Sequence, residues 1–126
     1  MNELETLDLV GLADHIATGQ LSSRDATAWS LQRLETIGRR FNAVFRIDAE
    51  AALQRAGTLD EHQARHGPSG PLHGVPLAHK DLFSVAGREC HAGSLILRGQ
   101  IAGETAYALQ QLDAAGQVNL GSLHMC

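Results

Sequence analysis

Lysine is almost missing from this chain: Lys80 stands alone, and every other long cationic side chain among the 126 residues is arginine. Cysteine is nearly as scarce. Cys90 and Cys126 are the only two, which excludes a disulfide-stapled scaffold and fits thiols kept reduced. The arginines are scattered singly apart from Arg39-Arg40 and the net charge is -4, so there is no cationic stripe to neutralise phosphates. Nucleic acid is therefore excluded as a direct partner. No apolar run approaches the length needed to cross a bilayer, and Glu3, Glu5 and Asp8 occupy the place where a secretory leader would carry positive charge. The expectation is a cytoplasmic protein with no membrane partner.

What is present suits a folded globular chain. Hydrophobic residues make up 44% of the sequence, and a chain of this length can bury roughly two-thirds of its unfolded surface. The first 66 residues read as mainly helical. Leu7, Leu9, Val10, Leu12, Ala13 and Ile16 form a mostly apolar helical stripe that stops near Gly19. Ser22 and Asp25 have the spacing of a capping box, after which Ala26, Trp29, Leu34 and Ile37 repeat at near-helical intervals up to Gly38. Ala43-Val44-Phe45 is a short strand candidate. Asp48 is placed to cap a third helix through Ala51, Ala52, Leu53 and Ala56, with Gly57 a weak point and Gly67 a stop.

From 67 to 126 the pattern changes to strand, helix, strand. Val75 to Lys80 reads as a strand, about Glu104 to Ala115 as a crossover helix ended by Gly116, and Val118 to Leu123 as a second strand. Such a crossover joins parallel strands, and residues at the carboxyl ends of such strands face the site in open α/β sheets. Lys80 lies at such an end. Its neighbours are largely apolar, Gly74-Val75-Pro76-Leu77-Ala78-His79 before it and Asp81-Leu82-Phe83 after it. A lysine can give up its proton when desolvated, whereas a guanidinium stays charged, so one lysine in an arginine-using sequence points to base chemistry. The plainer readings are an aliphatic stem with its head in water, or an ion pair with Asp81. Alternation along the strand sends His79 and Asp81 to the face opposite Lys80.

The stretch Gly70-Pro71-Leu72-His73-Gly74-Val75-Pro76, the strand ending in Lys80-Asp81, and the Gly93-Ser94 turn together resemble the amidase signature family. The resemblance resumes at Leu112, Ala114, Ala115 and Gly116 and runs through Val118-Asn119-Leu120-Gly121 to Met125. It implies an α/β fold with N-terminal helices followed by a partial mixed or parallel sheet, the whole of 1–126 being the N-terminal portion of an amidase domain. It implies hydrolysis of a carboxamide C–N bond by a serine nucleophile, a second serine as relay and a lysine, and Lys80 matches that lysine. It implies no cofactor and a small-molecule amide as substrate. Val75, Leu77, Leu82 and Phe83 are expected to desolvate the amine. The family's serines sit in a Gly/Ser-rich stretch beyond Cys126, and none of Ser22, Ser23, Ser30, Ser69, Ser84, Ser94 and Ser122 lies in such a run. These residues alone are thus expected to be inactive, with the Val75–Leu82 and Val118–Leu123 segments partly uncovered.

Two other functions stay open at this point: the glutamine-hydrolysing subunit of a transfer-RNA-dependent amidotransferase, which needs partner subunits, and an inactive α/β binding module. Self-association is left open too. Other chemical candidates have plainer explanations. His62 and His66 are four apart, as in some zinc pairs, but Glu61, Gln63 and Arg65 around them mark a solvated face, so no metal is expected. His124 and Cys126 lack further ligands, and Cys90-His91 lacks an orienting third group.

Overall fold

A computed structural model describes residues 3–125, and Cys126 lies outside them. The described residues form a mixed α/β structure with four α-helices and a three-stranded partial sheet. Helix α1 (Leu9–Ala17) begins where the Asp8 carboxylate accepts a hydrogen bond from the Gly11 amide at 2.7 Å. Helix α2 (Ser23–Arg33) begins at Ser22, whose hydroxyl accepts from the Asp25 amide at 3.0 Å, as the capping spacing foretold. The apolar repeat through Ile37 suggested one longer helix. Instead α2 ends at Arg33 and widens into a π-turn, Leu34–Gly38. Gly38 is there for closeness: a Cβ on it would lie 2.9 Å from the Val44 side chain, where strand β1 (Val44–Ile47) starts.

Helix α3 (Ala49–His66) passes through Gly57 unbroken and stops at Gly67, whose φ of 78° is easily reached by glycine. Asp48 occupies the cap position without capping. Its carboxylate is held instead by Arg46 (3.0 Å) and Arg88 (3.1 Å), two guanidiniums that outcompete the helix amides. Strand β2 (Pro76–Lys80), helix α4 (Tyr107–Ala114) and strand β3 (Val118–Leu123) form the strand-helix-strand unit. The helix is shorter at its start than Glu104 implied, because Ala106 donates its amide to the Ser84 carbonyl and opens α4 from there.

The strand order is β1-β3-β2, with β2 parallel and β1 antiparallel to β3. One face of the sheet packs on α2 and α3, where Leu31, Ala52, Ala56, Leu59, Val118 and Leu120 form a buried cluster joined by Ile47 and Ala78. A second cluster, Ile16, Ala26 and Val75, fixes α1 and α2 against the entry to β2. Each of the larger side chains contributes about 1.5–3 kcal/mol by leaving water. The expectation of partly uncovered segments holds along Val75–Leu82, where Val75 is 0% exposed but Lys80 and Leu82 are exposed, and is corrected for Val118–Leu123, where Val118, Leu120 and Ser122 are buried. The exposed apolar surface lies largely in the long connection after β2, at Leu82, Phe83, Leu95, Ile96 and Ile101.

Candidate active site

The Gly70–Gly74 loop is a backbone clasp on the end of α4. Leu72 donates its amide to the Ala115 carbonyl (2.9 Å), Gly74 to the Gly116 carbonyl (2.8 Å), and Val118 to the Val75 carbonyl (2.8 Å). Gly116, at φ 105°, admits this approach, since a Cβ there would come within 2.6 Å of the His73 Cα. The buried Ser23 hydroxyl donates to the Gly74 carbonyl at 2.7 Å, tying the loop to α2 as well. His73 is 2% exposed, and its Nδ1 accepts from the Ser69 amide at 3.0 Å. Burial first, and then the nearby His62, hold the His73 imidazole below its ordinary pKa. The glycines, proline and histidine of this loop therefore work on the aim of β2.

What β2 delivers at its carboxyl end is Lys80, paired in register with Leu123 of β3. Lys80 is exposed, while Asp81 next to it is 2% exposed, so the two point to different surroundings as strand alternation required. The expected desolvation of the lysine is corrected. Leu82 and Phe83 turn outward, 46% and 37% exposed, because a turn closed by the Phe83 amide on the Lys80 carbonyl (3.1 Å) carries them away from the sheet.

Behind the lysine, Asp81 belongs to a chain of groups that the sequence did not reveal. Its carboxylate lies 3.7 Å from His91 Nδ1, and His91 Nε2 lies 3.8 Å from Glu89. The His91 ring meets Phe45 edge-on at 4.5 Å. The Cys90 thiol donates to the Asp81 carbonyl at 3.4 Å, and burial together with the Asp81 charge pushes its pKa up, the opposite of an activated nucleophile. Ser94 caps the short Leu95–Leu97 turn by accepting from the Ile96 amide at 3.3 Å. His79 shares the Asp81 side of the strand. Burial, then the Arg46 charge, lower its pKa, against the pull of Asn119, Asp48 and Asp81.

Among the described residues no group of three or more histidine, cysteine, aspartate or glutamate side chains is placed to hold a metal. His62 and His66 are exposed neighbours at 5.1 Å, and His62 Nδ1 faces the Gly67 carbonyl at 3.1 Å. No described helix is long and apolar enough to cross a membrane. A cleft of about 600 Å³ bordered by Asp48, Arg55, Arg88, Asp113, Gln117 and Asn119 does not include Lys80.

Comparison with known proteins agrees with the mixed α/β fold. A family model described as Amidase matches residues 25–126. The glutamyl-tRNA(Gln) amidotransferase A-subunit of Streptomyces coelicolor is 37% identical over 125 residues, 99% of this chain and 25% of its own length. Its counterpart in Nitratidesulfovibrio vulgaris is 38% identical, again across 99% of this chain and 25% of the relative. Among solved structures, the peptide amidase of Stenotrophomonas maltophilia superimposes with a TM-score of 0.86 at 33% identity, covering 96% of this chain and 25% of that one. The chain thus spans about a quarter of the length of the proteins it matches.

Proposed function

Taking as premise that the chain belongs to the amidase family, we propose that it supplies the lysine-bearing N-terminal portion, residues 1–126, of an enzyme that hydrolyses a carboxamide C–N bond. The observation that carries this is the placement of Lys80, the sole lysine, at the carboxyl end of a parallel strand whose entry loop is fixed on three sides. In this reading the amine of Lys80 takes a proton through a relay serine from a nucleophilic serine. The serine oxygen bonds to the carbonyl carbon, the C–N bond breaks, and the proton returns to the departing amine or ammonia. Water then cleaves the acyl ester in a second turn of the same groups.

Both serines and the oxyanion-binding amides lie outside these 126 residues in this account, on the part of the enzyme that also shields Lys80 from water. Desolvation of the amine is then a property of the assembled enzyme. Ammonia release from a panel of primary carboxamides, by protein comprising these residues and their downstream reading frame, tests the proposal. Release with accumulation of an acyl-serine intermediate is expected. No turnover by any such protein, or a frame that stops at Cys126 in independent reads, would contradict it.

A second reading has its own support, because the amidotransferase subunits from Streptomyces coelicolor and Nitratidesulfovibrio vulgaris match nearly the whole chain. There the amide is the glutamine side chain and the ammonia passes to partner subunits. Glutamine cleavage that rises when partner subunits are added separates this reading from a free-standing amidase.

A further inference from the structure

The sheet register sets three polar side chains in one row across all three strands. Arg46 of β1 and His79 of β2 both pair with Ser122 of β3. In each, a side-chain atom is closed off from solvent and has no hydrogen-bond partner among the described residues: Arg46 Nη2, Ser122 Oγ and His79 Nε2. Ser122 is 1% exposed overall. The row exists because β3 carries an extra residue at the register shift between β2 and β3. Leu120 and Ala78 face the helix layer, and without that extra residue Ser122 would face it too.

Buried polar atoms in folded proteins are satisfied, and where protein groups do not do it an internal water does, making about three hydrogen bonds. We propose that the Arg46–Ser122–His79 row is a hydration site, holding an internal water that bridges the three strands one residue before Lys80. The donor and acceptor set suits water. Arg46 Nη2 can only donate, so it takes a lone pair of the water oxygen. The neutral imidazole of His79, with its proton on Nδ1, accepts from the water at Nε2, and the Ser122 hydroxyl can turn either way.

The charges nearby argue against an anion in the same place. Arg46 is already paired with Asp48, which it shares with Arg88, and its Nη1 donates to the Glu89 carbonyl at 3.0 Å. Asp48 and Asp81 both act on His79 as negative charges, so the row is already flanked by carboxylates. Burial, then the Arg46 charge, lower the His79 pKa, the direction that favours the neutral form the bridge uses. The site does not depend on Lys80 being catalytic.

Two measurements on the unmodified chain decide the matter. Water-to-protein cross-relaxation in solution should show a long-lived water contacting the side chains of Ser122 and His79, with His79 Nε2 resonating as a hydrogen-bond acceptor. A crystal soaked in bromide should show a water-like peak within hydrogen-bond reach of all three atoms and no anomalous signal there. A bromide peak would replace the water with an anion site and overturn the proposal. Direct hydrogen bonds among the three side chains, or no long-lived water contact, would overturn it too. In Ser122→Ala the water contact to His79 should weaken or vanish while the chain stays folded, and an undiminished contact would remove Ser122 from the site.

Discussion

Gly121 of β3 lies backbone to backbone against Arg46 of β1, so closely that a Cβ on Gly121 would overlap the Arg46 carbonyl oxygen. Its φ of 139° is one that side chains other than glycine rarely adopt. The position lies within the register shift against β2, where β3 carries an extra residue between Asn119 and Ser122, and beside the shift against β1, which carries an extra residue opposite Ser122 and Leu123. This double irregularity turns Ser122 toward Arg46 and His79 and sets the pairing of Lys80 with Leu123.

Gly121→Ala is therefore expected to destabilise the chain severely, by about 3 kcal/mol or more, through strain at a special backbone angle plus a backbone clash. Thermal or denaturant unfolding checks it. Gly103, where an added Cβ meets nothing, is the control, and Gly103→Ala should leave the midpoint nearly unchanged.

Asp60 closes the start of α2 from a distance. Its two carboxylate oxygens accept from the amides of Ser23 (2.7 Å) and Arg24 (3.0 Å), while Ser22 takes the Asp25 amide. Asp60→Ala removes two charge-assisted bonds at a helix N-terminus and should cost about 2–4 kcal/mol in denaturant unfolding. Ser22→Ala, which loses one neutral cap bond, should cost about 1 kcal/mol. The reverse ranking would show that the distant carboxylate is incidental.

Histidine burial gives the chain a pH dependence of definite sign. His73 and His79 both have folded-state pKa values below the ordinary 6.5. His79 faces Arg46, Asn119, Asp48 and Asp81; His73 faces His62, the Leu59 backbone, Asp60 and Arg55. The unfolded chain takes up protons first, so the full contribution is present above the unfolded value and is lost as pH falls from there toward the folded ones. Melting temperature should drop between about pH 7.5 and 5.5, a window above ordinary carboxylate titration, and His79→Gln should flatten the drop. A flat profile in the parent chain would refute the assignment.

Much of the fold was legible because local signals and packing agreed. β3 spans Val118–Leu123 as the apolar run between Gly116 and the chain's last residues implied, and Ser22, Gly67 and Gly116 mark element ends by their own chemistry. The motif placed Lys80 at a strand end, and alternation separated it from Asp81 and His79. What was hidden depends on residues far apart in sequence. Asp60 lies 37 residues from the amide it caps, and Arg88 reaches back 40 residues to draw Asp48 off helix capping. The Asp81–His91–Glu89 chain and the Arg46–Ser122–His79 row follow from a loop's return path and two register shifts, neither of which leaves a periodic mark. The burial of Lys80 was misjudged for a related reason: apolar neighbours in sequence shield a group only if the chain folds them over it.

The central claim is that the amine of Lys80 moves the proton in amide hydrolysis. The most direct test is the steady-state rate of ammonia release by the assembled enzyme carrying Lys80→Arg, on an amide that the parent demonstrably cleaves, with the melting temperature measured alongside. Arginine keeps the charge and much of the stem but does not act as a base at working pH. A fall of about 10²–10⁴-fold at unchanged melting temperature is the predicted result. Activity within a few-fold of the parent would take Lys80 out of the reaction.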